Sequence, residues 1–429
     1  AKLRGAFAFA ILFKSDNNLL IGARKGSPLA VGHGDGEMYL GSDAIALAPF
    51  TNRVTYLEDG DWAVLTRTTV EIFDAQNRPV TRQMSFSQAS SMMMDKGNHR
   101  HFMAKEMEEQ PEVVGHTLAE YVDFSTRTVK TPKALPFDFK HLDRLTITAC
   151  GTASYAGLVA KYWFERVARL PTEVDIASEF RYREAPLTPK GLSIVISQSG
   201  ETADTLAALR YCKSQGQHTL AIVNVPESTI AREAGMAMRT YAGPEIGVAS
   251  TKAFTCQLTV LACLAILAAK QRGHLTRAAE EELVGALIAA PRHMAEILRE
   301  EKQIARVARE IASARDVLYL GRGINFPIAM EGALKLKEIS YIHAEGYAAG
   351  ELKHGPIALV DENVPVIVIA PRDDLYEKTI SNMEEVAARG GKIVLLTDDE
   401  SNAHKTFHRI RVPKAHSFTS PLLYAVPVQ

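Results

Sequence analysis

Ser197, Gln198, Ser199, Gly200, Glu201 and Thr202 place three hydroxyls and a carboxamide within six consecutive positions. They follow the aliphatic run Leu192–Ile196 and precede Thr205-Leu206-Ala207-Ala208-Leu209-Arg210, a pattern that predicts strand, turn and helix. Free backbone N–H groups and the positive end of a helix dipole meet at such a turn, which therefore suits an anion, phosphate above all. One Ser or Thr is explained by helix capping alone. Three hydroxyls and a Gln exceed that need.

A second group lies far along the chain. The helical pattern 331–339 carries Lys335 and Glu338 three residues apart on one face, a pair that reads equally well as a surface ion pair of little consequence. His343 follows, and then Glu345, Glu351, Lys353 and His354 in the Gly- and Ala-rich segment 344–356, which predicts a loop presenting titratable side chains. A carboxylate, an ammonium and an imidazole near a phosphate turn suit proton transfer beside a sugar carbonyl. The carboxylate moves the carbon-bound proton, the cation steadies the enediolate-like charge, and a His opens the ring. That chemistry is aldose–ketose isomerisation.

The elements that must hold these groups repeat. Leu145–Gly151 resembles Val317–Gly323, Leu192–Ser197 resembles Pro365–Ala370, and Thr219–Val223 resembles 392–396, all at an offset of about 172 residues, as a duplicated unit requires. Short β runs alternate with helical patterns in each copy, predicting α/β domains with doubly wound parallel sheets. The reading divides the chain into a β-rich piece at 1–84, a linker with helices at 85–140, the first copy at 141–274, connecting helices at 275–312 and the second copy at 313–429. Where the first copy has its hydroxyl turn, the second has Ala370-Pro371-Arg372-Asp373-Asp374-Leu375, whose carboxylates would repel an anion. Phosphate is expected in the first copy only.

Other features are bland. Gly32–Glu37 leads into a strand rather than a helix, so it reads as a turn and not a phosphate loop. His99, Arg100 and His101 lack metal-ligand spacing, and no metal or organic cofactor is expected. A net charge of −1 offers no basic surface for nucleic acid. The four cysteines form no CxxC pair, which fits a reducing cytoplasm. The apolar run 258–269 is shorter than the ~20 residues of a membrane span and reads as a buried helix.

Cys150-Gly151-Thr152, the turn at 197–202, Glu245-Ile246-Gly247-Val248-Ala249-Ser250-Thr251-Lys252, Glu331–Glu338 and Glu351-Leu352-Lys353-His354-Gly355-Pro356 together resemble the family of glutamine–fructose-6-phosphate aminotransferases (isomerising), over essentially all 429 residues. The resemblance implies two SIS (sugar isomerase) domains in tandem, preceded by the last part of a glutaminase domain of the N-terminal nucleophile hydrolase class. It implies conversion of fructose 6-phosphate and glutamine to glucosamine 6-phosphate and glutamate by a homodimer or higher homo-oligomer. Thr152, Ser197, Gln198, Ser199, Thr202, Val248 and Ser250 would bind substrate. Glu338 would be the isomerisation base, Lys335 its cationic neighbour, and His354 the ring-opening residue, supplied by the other subunit. Ala153 stands where the family has Ser. Because the chain begins at Ala1 and stops at Gln429, the resemblance places the nucleophilic cysteine, the glutamine site and the Schiff-base lysine of the C-terminal tail outside it. Two other readings are a glutamine-independent hexose-phosphate isomerase or deaminase and a non-catalytic sugar-phosphate sensor. A sensor has no need of Glu338 or His354.

Overall fold

The computed structural model describes residues 3–87, 96–131, 133–401 and 408–429, so residues 88–95 of the expected linker, Met92, Met93 and Met94 among them, lie outside the described residues. The chain forms two compact units that divide between Asn98 and His99.

The first unit is built of two antiparallel sheets. One runs in the order Phe7–Phe13, Asp16–Lys25, Trp62–Leu65, Val70–Phe73, Pro79–Val80, and the other in the order Met38–Gly41, Ala30–His33, Arg53–Tyr56, Met84–Phe86. Residues 84–86 thus belong to a strand paired with Arg53–Thr55, two residues beyond the expected end of this piece. The strands Phe7–Phe13 and Asp16–Lys25 pair as an antiparallel hairpin. Gly32–Glu37 is the turn end of a second hairpin, Ala30–His33 with Met38–Gly41.

The second unit holds the duplication. Its two five-stranded parallel sheets have one topology. The first runs Thr172–Ile176, Leu145–Ala149, Leu192–Ser197, His218–Val223, Met236–Arg239; the second runs His343–Ala348, Asp316–Gly321, Pro365–Ile369, Lys392–Thr397, His408–Arg411. In each the order is second, first, third, fourth, fifth, so the chain reverses direction between the first and third strands. Ligands in open α/β sheets bind at the carboxyl ends of the strands beside that reversal. The strands Leu145–Ala149 and Leu192–Ser197 are buried throughout, as a sheet covered on both faces demands.

The helix Lys252–Gln271 is apolar enough to cross a membrane by composition, yet 94% of its apolar window is buried inside the protein. It is the core helix against which Gln110–Tyr121 and Thr152–Arg166 pack. Helix 102–121 breaks at Glu109, with Pro111 at the start of its second segment. Val113, Val114, Leu118 and Tyr121 enter the same core, so this stretch is part of the second unit and not a spacer. The helices Arg277–Leu298 and Glu301–Ile311 connect the two sheets.

One expectation is corrected. Residues 343–348 form a strand, not a loop, paired in parallel with Asp316–Gly321. The small residues there serve close packing: a Cβ on Gly346 would sit 2.6 Å from the backbone of Met330, so glycine lets the strand press on the helix Phe326–Ser340.

Candidate active site

The hydroxyl turn sits where the sheet order reverses. Ser197 ends the third strand, and its Oγ accepts from the Gly200 N–H at 3.0 Å and lies 3.0 Å from Thr202 Oγ1. Ser199 Oγ accepts from the Glu201 N–H at 3.2 Å. Gly200 has φ +67, and a Cβ there would meet Ser228 Oγ at 1.9 Å, so only glycine closes this turn. Thr202 is the N-cap of the helix Ala203–Ser214, whose first-turn N–H groups have no partner within the helix. Glu201, the one charged residue in the turn, points elsewhere: its Oε1 accepts from the Thr229 N–H at 2.7 Å, capping the next helix. Its negative charge is thereby kept off the anion position.

The second copy's counterpart is filled by its own acids. Asp398 Oδ1 accepts from the Arg372 N–H at 2.6 Å, and Asp373 Oδ1 accepts from the Leu375 N–H at 2.9 Å. Carboxylates occupy N–H groups of the kind that an anion would need. A cavity of about 490 Å³ opens beside this turn, lined by Trp163, Ile324, Asp373, Leu375 and Phe418 among others, and it contains none of the predicted site residues.

The titratable cluster forms where the two copies meet, because the helices Thr152–Arg166 and Phe326–Ser340 pack together. Lys335 is 2% exposed. Its Nζ lies 2.6 Å from Glu338 Oε2, donates to Thr152 Oγ1 at 3.0 Å and lies 3.5 Å from Glu331 Oε1. The Thr152 hydroxyl donates onward to Glu331 Oε1 at 3.3 Å. Glu338 is the outermost member, its side chain one-third exposed, so it is both held by the ammonium and open to a ligand.

Glu331 is the member that the sequence reading missed, although Glu331, Lys335 and Glu338 at spacings of four and three share one helix face. It is fully buried, its Oε2 has no partner, and burial pushes its carboxyl up to about 8 against the pull of Lys335. Burial thus favours the protonated form of Glu331, and to that extent the charge of Lys335 is left to Glu338 and to any oxyanion beside it. Were Glu331 ionised, two carboxylates would divide one ammonium. Burial, with Glu331 and Glu338 nearby, also raises the Tyr155 phenol.

The remaining predicted residues lie apart. Gln198 is half-buried, and its backbone O accepts from the Asn224 N–H at 3.1 Å. Val248 is 98% exposed, and Ser250 donates to Glu245 Oε2 at 2.8 Å. His354 is exposed at the end of a 3-10 turn, Ala349–His354, and within the chain it joins neither Lys335 nor Glu338. Glu345 pairs with His343 at 3.6 Å and Lys353 with Glu385 at 2.8 Å, so these groups serve the fold locally. Among the described residues no group of His, Cys, Asp or Glu has the arrangement of a metal site.

Residues 139–267 and 310–429 match the SIS domain family. The chain is 65% identical to the glutamine–fructose-6-phosphate aminotransferase (isomerizing) of Bradyrhizobium diazoefficiens and 64% identical to that of Brucella abortus, aligning in both cases over 100% of its own length and 71% of the relative's. Among solved structures it is similar to the C-terminal domain of glucosamine-fructose-6-phosphate aminotransferase from Francisella tularensis, with TM-score 0.75 and 41% identity, over 78% of this chain and 95% of that one.

Proposed function

Since the chain belongs to the family of glutamine–fructose-6-phosphate aminotransferases (isomerizing), we propose that it binds fructose 6-phosphate and carries the ketose–aldose isomerase part of a reaction that takes nitrogen from glutamine and yields glucosamine 6-phosphate and glutamate. The observation that carries this reading is the ammonium of Lys335, buried 2.6 Å from a ligand-accessible Glu338 carboxylate. A protein that only sensed a sugar phosphate would gain nothing from that pair. The relatives' names also favour the aminotransferase over a glutamine-independent isomerase or deaminase.

In this reading the phosphate seats on Ser197, Gln198, Ser199 and Thr202 and on the N–H groups at the helix start, which fixes the hexose by one end. Glu338 takes the proton from the carbon beside the C2 centre and returns it to the neighbouring carbon. Lys335, paired with the Glu338 carboxylate at 2.6 Å, stabilises the negative charge that develops on oxygen in between. Thr152 aligns the ammonium by accepting from it. Val248 and Ser250 contact the sugar. His354 opens the ring, and because it lies exposed and apart from Glu338 in its own chain, it works in the site of a second subunit of a homodimer. The reading invokes no metal or organic cofactor, and the four free cysteines suit a cytoplasmic setting.

Thermal unfolding with fructose 6-phosphate, glucose 6-phosphate and inorganic phosphate tests the proposal. A ligand at about 100 times its Kd adds roughly 2.7 kcal/mol to the native state. Stabilisation by the hexose phosphates should exceed that by phosphate and should vanish in Ser197→Ala. Equal shifts in the variant and the parent would overturn it.

A further inference from the structure

The segment 240–251 joins the strand Met236–Arg239 to the core helix Lys252–Gln271 without regular structure of its own, yet its backbone is tied at its start, middle and end. Asn224 links it to the phosphate turn: the Asn224 N–H donates to Gln198 O at 3.1 Å, its Nδ2 donates to Gly243 O at 2.7 Å, and its Oδ1 accepts from the Ala242 N–H and from Thr240 Oγ1, both at 3.0 Å. At the far end Glu245 accepts from the N–H groups of Thr251 and Ala253 at 2.9 and 3.0 Å. The middle is held from a distant part of the chain. Glu106, 2% exposed on the helix Phe102–Glu108, accepts from the Ile246 N–H at 2.5 Å and from the Gly247 N–H at 3.0 and 3.2 Å to its two oxygens.

Successive N–H groups converging on one point form an anion cradle, and here a carboxylate from the protein fills it. Hydrogen bonds to an ionised acceptor are among the stronger ones available to a loop. The fit also demands glycine: a Cβ on Gly247 would sit 2.5 Å from Glu106 Oε2. Three residues on from Gly247 comes Ser250, and between them Val248 stands almost wholly in solvent. The backbone just before this exposed side chain is held by a buried acid, and the backbone after it by the burial of Ala249 and Thr251 and by Glu245.

We propose that Glu106 is a positioning residue for sugar recognition. Its carboxylate fixes the 246–250 backbone so that Val248 and Ser250 stand at a set distance from the phosphate turn, with Asn224 as the strut between them. The inference rests on the sugar-phosphate reading above. It assigns to Glu106 the discrimination of a hexose phosphate from phosphate alone, while the phosphate contacts themselves stay with residues 197–202.

The test is calorimetric titration of the 429-residue chain with fructose 6-phosphate and, separately, with inorganic phosphate, for the parent, Glu106→Ala and Gly247→Ala. Loss of charge-assisted bonds to the loop should weaken fructose 6-phosphate by about tenfold or more in Glu106→Ala while leaving phosphate within about twofold. Gly247→Ala, which pushes the loop off the same carboxylate from the other side, should shift the ratio of the two affinities in the same direction. Should Glu106→Ala fail to fold, Gly247→Ala decides alone. An unchanged ratio in the folded variants would overturn the inference while the functional reading stood. A parent chain that did not prefer fructose 6-phosphate over phosphate would sink the functional reading, and this inference with it.

Discussion

Glu331 shows how one buried proton governs the residues around it. Its carboxyl titrates at about 8 instead of 4.5 because burial penalises the charged form. Between those values the folded chain binds a proton that the unfolded chain has released, so this group's contribution makes stability fall as pH rises from about 4.5 to about 8. The slope from one such group reaches about 1.4 kcal/mol per pH unit. Glu331→Gln keeps the shape and removes the titration. Its melting temperature relative to the parent should therefore climb steadily from pH 5 to pH 8. A constant difference across that range would show that Glu331 is already ionised at pH 5. Hydroxyls crowded into one turn are conspicuous in a sequence, which is why Ser197, Ser199 and Thr202 were legible. A single Glu on a helix is not, because its chemistry comes from Thr152 and from burial, and Thr152 lies 179 positions away.

Elements carry the next constraint, since the phosphate turn works only if strand and helix meet at a fixed angle. Gly200 sets that angle, with φ +67 and no space for a Cβ beside Ser228. Gly200→Ala should lower the melting temperature by several degrees, through an alanine forced to positive φ and a displaced Ser228. Its effect on phosphate affinity should exceed that of Ser197→Ala, since the whole turn moves. Titration of both variants with phosphate checks this, and a Gly200→Ala chain that bound phosphate normally would show that the turn is not the anion site. The periodicities of the paired strands made the duplicated sheets readable, because parallel strands buried on both faces leave continuous apolar runs. Residues 343–348 escaped for the opposite reason. His343, Glu345 and Tyr347 on an edge strand alternate with Ala and Gly, and that looks like a loop until Met330 is seen pressed against Gly346. The helices Phe102–Glu108 and Gln110–Tyr121 fall in the region 85–140 read as linker and helices, and nothing in the sequence beside Glu106 and Glu109 shows what they bind. Their partners, the 246–247 N–H groups and Lys252 at 2.6 Å, are about 140 positions downstream.

At the scale of the whole molecule, a single chain leaves the proposed chemistry divided. Lys335 and Glu338 stand together at the junction of the two SIS domains, whereas His354 is exposed and bonded to neither. Tyr341 at 92%, Leu359 at 55% and Ile339 at 52% exposure flank these groups in sequence, large apolar side chains that a subunit contact would cover. If a second copy brings its His354 to this Glu338, the two defects complement. Glu338→Gln and His354→Ala should each be inactive when the release of the C1 proton of fructose 6-phosphate to solvent is followed. Unfolded separately, mixed in equal amounts and refolded together, they should form mixed dimers in which one site of two has both groups intact. With half of all dimers mixed, activity should return to about a quarter of the parent's. No recovery from two inactive variants, with mixed dimers present by native mass spectrometry, would place His354 and Glu338 in the same chain's site, and an active His354→Ala would remove His354 from the reaction. A quarter recovered would make the dimer, and not the chain, the unit that catalyses.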